Sequence, residues 1–429
     1  MALDADTPLS DFEAELPPSK RRGIGLCLSG GGFRATLFHL GALQRLFELG
    51  IATRPDFDTV ASVSGGSITA AQWAIAEAQA QVNASRHREG PEVPGRTEAI
   101  PPLDFTRDIA RPLQALTSRD LRTGAMAKKF LLPWNWFRGA FVIDAMIHKF
   151  EEAFGQGTLN LLPDHPRFVF CATDMAFGAN FIFERDRVGS YLAGYAPPEG
   201  FTLAQAVAAS ACFPPLFGPL RIERAAERFK GGSAKGVSAD GRKQILEDLR
   251  VTDGGVYDNL GLEPVWKSHR VGLVSDAGGL MDAEADKNFF WRIQRYQSIQ
   301  DTQARGLRKR FLIAGYTQGT IGGGYFGVAS SPTHYPGARD PGYSKEFARG
   351  VIAHIRTDLD TFSEVERAVL MNHGYALVDA AVRTHAPELV VTDAAFAVPY
   401  PAFASPHMAE EDSGRRLAGS EKRKLTGRG

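Results

Sequence analysis

Ser29-Gly30-Gly31-Gly32-Phe33-Arg34-Ala35 and, further along, Ser62-Val63-Ser64-Gly65-Gly66-Ser67 are two glycine-rich turns in matching contexts. Each follows a short apolar run, Ile24-Gly25-Leu26-Cys27-Leu28 in the first case and Thr59-Val60-Ala61-Ser62-Val63 in the second. Each opens a helical stretch, Ala35 to Leu49 and Ile68 to Val82. In the first of these Leu37, Leu40, Leu43, Leu46 and Phe47 fall on one stripe, and Gly50 supplies the stop. Repeated strand–turn–helix units predict an α/β fold with a central, mostly parallel sheet.

A glycine-rich turn between strand and helix aims backbone N–H groups at an anion. The second turn also carries a serine at the position of a nucleophile elbow. Small residues two before and two after that serine let the strained turn close. Here the window is Ser62-Val63-Ser64-Gly65-Gly66, so the trailing glycine is present and serine replaces the leading one. Taken alone, the window also fits an ordinary Ser/Gly turn. The glycine triplet lacks the Lys-Ser/Thr pair of a phosphate-binding P-loop and the spacing of a dinucleotide fingerprint. An oxyanion hole built on Gly30, Gly31 and Gly32, with Gly65 contributing, is the better reading. Such donors contribute about 3–4 kcal/mol each to barrier lowering in acyl transfer. Arg34 follows directly and reads either as a clamp for a substrate phosphate or as a structural arginine at a helix N-terminus.

A serine nucleophile needs a base. Asp253, in Val251-Thr252-Asp253-Gly254-Gly255-Val256, ends a strand-like run, and so does Asp276 in Asp276-Ala277-Gly278-Gly279. Aspartates at the C-terminal ends of sheet strands stand where α/β sites assemble. His354, His373 and His385 are the histidines able to complete a Ser-Asp-His order, and His373 lies inside a helical pattern. The spacing does not choose among these bases.

The 429 residues balance 49 Lys+Arg against 49 Asp+Glu, so no global field draws the chain to nucleic acid. Hydrophobic residues at 44% and charged residues at 23% are those of a globular protein. Cys27, Cys171 and Cys212 fit neither a zinc pattern nor a disulfide framework, which predicts buried thiols and a cytoplasmic setting. Met1 to Pro18 is acidic without an apolar core and is read as no signal peptide; no run is long enough to span a bilayer.

The organisation expected is a flexible arm over 1–22, a catalytic domain over 23–400 and a charged, disordered tail over 401–429. Within the domain, a helical insertion is expected at about 86–160 and a mobile Gly/Ser/Lys-rich loop at about 224–242. Strands are expected at Arg167 to Thr173, Asn180 to Glu184, Leu249 to Thr252, Val271 to Ser275 and Phe311 to Tyr316. Long helices are expected at Ala285 to Arg310 and Ser363 to Val382. Phe130 to Phe137, flanked by Lys128, Lys129 and Arg138, reads as a buried aromatic cluster or as a peripheral membrane contact.

Together these residues resemble the patatin-like phospholipase family, which shares its core with the cytosolic group IV phospholipases A2. Gly30-Gly31-Gly32-Phe33-Arg34 resembles the family's oxyanion motif, Ser64 its nucleophile, and Asp253-Gly254-Gly255 its D-G-G/A motif. Val256-Tyr257-Asp258-Asn259-Leu260-Gly261 adds to the likeness and favours Asp253 over Asp276. Ala209 to Phe217 looks like the family's Ser/Ala-rich loop before a proline, and Ala172-Thr173-Asp174 resembles another of its strand ends. Departures are Ser62 for glycine, Ser29 for aspartate and Ala35 for glycine. The resemblance covers residues 23–265 apart from the insertion. It implies a three-layer α/β/α patatin-like fold and a Ser64–Asp253 dyad without histidine. It further implies hydrolysis of lipid acyl esters with no metal or other cofactor. A catalytically silent lipid-binding protein and a Ser-His-Asp esterase of small esters are the alternatives.

Overall fold

The structure, a computed structural model, describes residues 16–89, 103–121, 141–214, 217–234, 236–281, 283–404, 408–417 and 420. Ten strands form one sheet. They are β1 (Arg22–Leu28), β2 (Phe57–Ser62), β3 (Arg167–Asp174), β4 (Ala179–Phe183), β5 (Val188–Ser190), β6 (Gly194–Ala196), β7 (Leu220–Arg221), β8 (Arg250–Asp253), β9 (His269–Asp276) and β10 (Gly322–Gly327). The main order is β10-β9-β1-β2-β3-β4-β5-β6. The run from β10 to β3 is parallel, and the remainder is antiparallel. Strand β8 runs antiparallel to β3 and carries β7 on its other edge.

The helices that position the site are α1 (Gly32–Glu48), α2 (Gly65–Glu89), α3 (Leu203–Ala211), α4 (Phe289–Gln318), α5 (Glu364–His385) and α6 (Met408–Leu417). Alternate residues of the parallel strands face opposite layers. Leu26, Leu28 and Val60 join the large core with α1, α2 and α5. Cys27, Ala61 and Val274 face Leu260, Leu262, Val265 and Leu312 on the other side. Helices therefore cover both faces of the sheet, giving three α/β/α layers.

Leu37, Leu40, Leu43 and Leu46 of the predicted α1 stripe are buried and Phe47 is partly so, and the chain turns at Gly50 with φ of 69°. Helix α1 crosses α5 at backbone contact. A Cβ at Gly41 would lie 1.9 Å from the Met371 carbonyl oxygen, and one at Gly374 would lie 2.0 Å from that of Phe38. Helix α5 starts at a capping box in which Ser363 and Glu366 satisfy each other's amides.

Several expectations need correction. Phe311 to Tyr316 is not a strand but the end of α4; Leu312 and Tyr316, four apart, face the second core on one side of that helix. The edge strand is instead the glycine-rich Gly322–Gly327. Helix α2 continues to Glu89, past the Val82 end expected for it. The expected disordered tail contains α6, where Ser413 and Leu417 are buried and Glu410 accepts from the Ser344 N–H at 2.8 Å and hydroxyl at 3.1 Å. The stretch read as a mobile loop carries a turn at Ala226–Arg228 and the start of the Ala239–Glu247 helix. Arg242 ties that stretch to the Ala193 and Gly231 carbonyls at 2.6 Å each. In the insertion, Arg111–Thr117 and Phe141–Phe154 are helical. Phe130–Phe137 lies outside the described residues.

Candidate active site

Two strands share one edge of β3, and this sharing builds the site. Phe170 pairs with Ser62 of β2 on one side and Phe183 of β4 on the other. Two residues on, Ala172 pairs with Asp253 of β8 opposite Phe181 of β4. Strand β8 thus takes the lane that β2 vacates, and Asp253 arrives beside the turn that follows Ser62.

Ser64 heads that turn in the left-handed region, with φ of 51°, the only non-glycine residue there among those described. Such a conformation costs a residue with a Cβ about 1–3 kcal/mol and is retained where the surroundings enforce it. The surroundings here are hydrogen bonds and close packing. Val63 N–H donates to the Leu28 carbonyl at 3.0 Å, and Ser64 N–H donates to Ser210 Oγ at 3.0 Å. A Cβ on Gly65 would lie 2.0 Å from the Gly32 carbonyl oxygen, so only glycine lets the two turns touch. The serine at position 62 fits because its hydroxyl accepts from Ser67 Oγ at 3.0 Å and donates to the Val169 carbonyl at 3.3 Å.

Asp253 is buried. Its Oδ1 accepts from Gly255 N–H at 2.7 Å, while Oδ2 has no hydrogen-bond partner. The Ser64 hydroxyl lies close enough to favour the ionised carboxylate without forming a fully aligned bond to it. Burial dominates, with the Asp301 carboxylate adding to it, and the carboxyl is pushed up to about 7. No histidine is among the groups acting on it. Thr173 fixes the backbone: its hydroxyl donates to the Asp253 carbonyl at 2.8 Å and accepts Tyr257 N–H at 3.1 Å.

Gly31 and Gly32 adopt φ of 144° and 55° at the head of α1. Among the described residues no acceptor meets the N–H of Gly31, Gly32 or Gly65. These three amides lie where the two turns meet and are available to an anion. The Gly30 N–H is not, since it donates to the Asn259 carbonyl at 3.0 Å.

Arg34 is turned into the body of the protein. Its guanidinium is buried and donates to the carbonyls of Ala277 (3.1 and 2.8 Å), Ala353 (2.7 Å) and Ile355 (2.8 Å). The phosphate-clamp reading is therefore replaced by a structural one, in which Arg34 ties α1 to two distant loops. Asp276 is likewise engaged, through Gly278 N–H at 2.9 Å and Tyr325 OH at 2.7 Å. His373 is buried, its ring joined to the Val328 carbonyl at 2.9 Å, and burial pushes it down to about 4. His385 stands edge-on to Tyr335.

Two residues escaped functional reading in the sequence. Ser210 ends α3 in the Ser/Ala-rich stretch, and only the fold shows its reach. Its hydroxyl donates to the Cys171 carbonyl at 2.6 Å and meets Ser67 Oγ at 2.9 Å; its own carbonyl accepts Gly254 N–H at 3.3 Å. One residue thus holds both the Ser64 turn and the Asp253 turn. His39 on α1 braces the first turn. Its Nε2 donates to the Ser29 carbonyl at 2.9 Å, and its Nδ1 accepts from Ser275 Oγ at 2.7 Å. Burial pushes it down to about 4, so it is neutral. Among the described residues no cluster of three or more His, Cys, Asp or Glu is placed to hold a metal.

A serine in a left-handed strand-to-helix turn, a buried carboxyl beside it and free turn amides thus meet on a mostly parallel sheet. The family model for patatin-like phospholipase matches residues 26–266, more than half of the chain. The protein belongs to the patatin-like phospholipase family. Among solved structures it is similar to human GIVD cytosolic phospholipase A2, with 11% identity and a TM-score of 0.43 over 99% of this chain and 62% of that one. VipD from Legionella pneumophila is similar at 15% identity and a TM-score of 0.34, over 85% of this chain and 66% of that one. The chain spans less than two thirds of the length of either structure. No curated protein matches its sequence significantly.

Proposed function

We propose that this protein hydrolyses acyl esters of phospholipids or related lipids through a Ser64–Asp253 dyad. The observation that carries the proposal is the buried Asp253 carboxyl, one oxygen unpartnered, beside the one described serine with left-handed backbone. In this reading Ser64 Oγ attacks the ester carbonyl while Asp253 takes its proton. Negative charge then develops on the carbonyl oxygen, where the Gly31, Gly32 and Gly65 amides receive it. Asp253 passes the proton to the departing alcohol, and the acyl group remains on Ser64. Water then attacks the acyl carbonyl, losing a proton to Asp253, and Asp253 returns that proton to Ser64 Oγ as the fatty acid leaves. A carboxyl poised near 7 suits both directions of this transfer.

The three cysteines are buried free thiols, which supports a cytoplasmic setting. Among the described residues no helix is long and apolar enough to cross a membrane. The test is fatty-acid release from mixed phospholipid and neutral-lipid vesicles. Wild type should release fatty acid, and Ser64→Ala should not. Equal release by both proteins would overturn the proposal.

A further inference from the structure

Asn259 lies in the stretch Val256 to Gly261 that follows the aspartate turn, and the dyad alone gives it no task. Gly255–Asp258 is a single helical turn, and Asn259 closes it with helical backbone, φ of −67°. Gly255 and Asn259, four apart, therefore share a face. Asp258 fixes the chain beyond that turn by accepting the N–H groups of Leu260 (3.1 Å), Leu262 (2.7 Å) and Glu263 (3.0 Å). The Asn259 carbonyl takes the Gly30 N–H at 3.0 Å, so the amides left free in that glycine triplet are those of Gly31 and Gly32. Its side chain touches three glycine turns at once. A Cβ on Gly30 would strike Asn259 Oδ1 and would lie 3.2 Å from Ser64 Cβ. A Cβ on Gly255 would lie 2.7 Å from Asn259 Oδ1 and 2.9 Å from Asp253 Oδ1. On Gly278 it would lie 2.9 Å from Asn259 Nδ2 and 3.0 Å from Asp276 Oδ1, and would strike Arg305. The carboxamide is half-buried, and among the described residues no group hydrogen-bonds to it. Its shape and its neutrality are what the site receives.

We propose that Asn259 is a positioning residue for the reaction: its carboxamide sets the separation between the Gly30-Gly31-Gly32 turn and the Asp253 turn, and with it the alignment of Ser64 to its base and to the free amides. The inference rests on the Ser64–Asp253 reading above and adds the residue that holds the two halves in register. Ser210 joins the Ser64 turn to the Asp253 turn; Asn259 joins the amide-bearing turn to the Asp253 turn, from the side that Gly30 and Gly255 face. Both glycines leave room for the carboxamide and for nothing larger than a hydrogen of their own. An aspartate would fill the same space but would set a second negative charge against Asp253, Asp276 and the oxygen that becomes an oxyanion. A neutral carboxamide fills it without that charge.

The test compares wild type, Asn259→Ala and Asn259→Asp, each checked for folding by circular dichroism. Two quantities are read: fatty-acid release from phospholipid vesicles, and the rate at which a fluorophosphonate labels Ser64 across pH. Both substitutions keep the backbone carbonyl that accepts from Gly30. Asn259→Ala should lower kcat and the labelling rate at least about tenfold, with KM within about twofold of wild type. Asn259→Asp keeps the shape and adds the charge. The new carboxylate, half-exposed, ionises first and holds the proton on Asp253, so the acid limb of the labelling rate should move at least about one unit to higher pH. Asp301, which also acts on Asp253, and Asp276 and Arg305, which face the carboxamide, are the same in all three proteins. A residue serving the fold alone would move neither the limb nor kcat in the folded variants. Wild-type rates in folded Asn259→Ala, or an acid limb that Asn259→Asp leaves in place, would overturn the inference and leave the hydrolase reading standing; Asn259→Asp decides by itself if Asn259→Ala does not fold. Wild type that labels at Ser64 yet releases no fatty acid would count against the lipid reading, and the labelling rates would still decide the role of Asn259. A wild type inert in both readouts would overturn the two together.

Discussion

The Ser64 backbone N–H donates to the Ser210 hydroxyl at 3.0 Å, and that hydroxyl donates to the Cys171 carbonyl at 2.6 Å. The strained elbow is therefore tied through α3 to β3, the strand against which β8 holds Asp253 in register. Ser210→Ala removes both bonds and leaves the Ser64 amide without its acceptor. Turnover number should fall about tenfold with KM little changed, and stability should fall by about 1–2 kcal/mol. Steady-state kinetics and thermal unfolding read the two effects. Ser210→Thr keeps the hydroxyl and should recover most of the turnover.

Asp253 gives a pH signature with a definite sign. As a base it works ionised, so kcat/KM should rise with pH and level off above about 7. Stability runs the other way. The folded carboxyl binds its proton more tightly than the ordinary carboxyl near 4 in the unfolded chain. Between about pH 4 and 7 the folded state therefore holds the extra proton, and raising pH through that window lowers stability. Asp253→Asn should abolish activity and raise the melting temperature relative to wild type at pH 8, but not at pH 4.

Arg34 tests structure against substrate contact. With its donors on the carbonyls of Ala277, Ala353 and Ile355, Arg34→Met should destabilise the fold by about 3 kcal/mol or more. Any activity that survives should fall equally on phospholipids and on neutral esters. A KM increase confined to phospholipids would restore the phosphate role.

The histidines make a simpler prediction. His354→Ala and His385→Ala should keep turnover within about twofold of wild type, because the account assigns the base to Asp253 and no histidine acts on its carboxyl. His373→Ala opens a cavity in the core and should cost stability, with the remaining folded enzyme active. Loss of turnover in a folded histidine variant would favour a triad.

What could be read from the sequence were the features encoded locally. The glycine turns at Gly30-Gly31-Gly32 and Ser64-Gly65-Gly66 announce themselves because their backbone geometry admits few other residues. The aspartate pair Asp253 and Asp276 looked alike, since both end a strand and precede glycines; only the pairing of β8 with β3 separates them in space. Arg34 was ambiguous because its partners lie 243 and more residues away, beyond any local pattern. Phe311 to Tyr316 is a short apolar run, the length at which strand and buried helix segment look the same. Helix α6 hid within a charged tail, where Asp412 and Arg416, four apart, pair at 2.7 Å along its surface. Ser210 belonged to a recognised stretch, but its function depends on two turns that meet it only in the fold.

The most direct measurement is covalent labelling with a long-chain fluorophosphonate, followed by intact-mass and peptide mass spectrometry. Ser64 should carry the phosphonyl adduct in wild type. Folded Ser64→Ala should carry none, and Asp253→Asn should react at least about a hundredfold more slowly for want of its base. Labelling of another serine, or labelling of Ser64 at an undiminished rate in Asp253→Asn, would contradict the dyad.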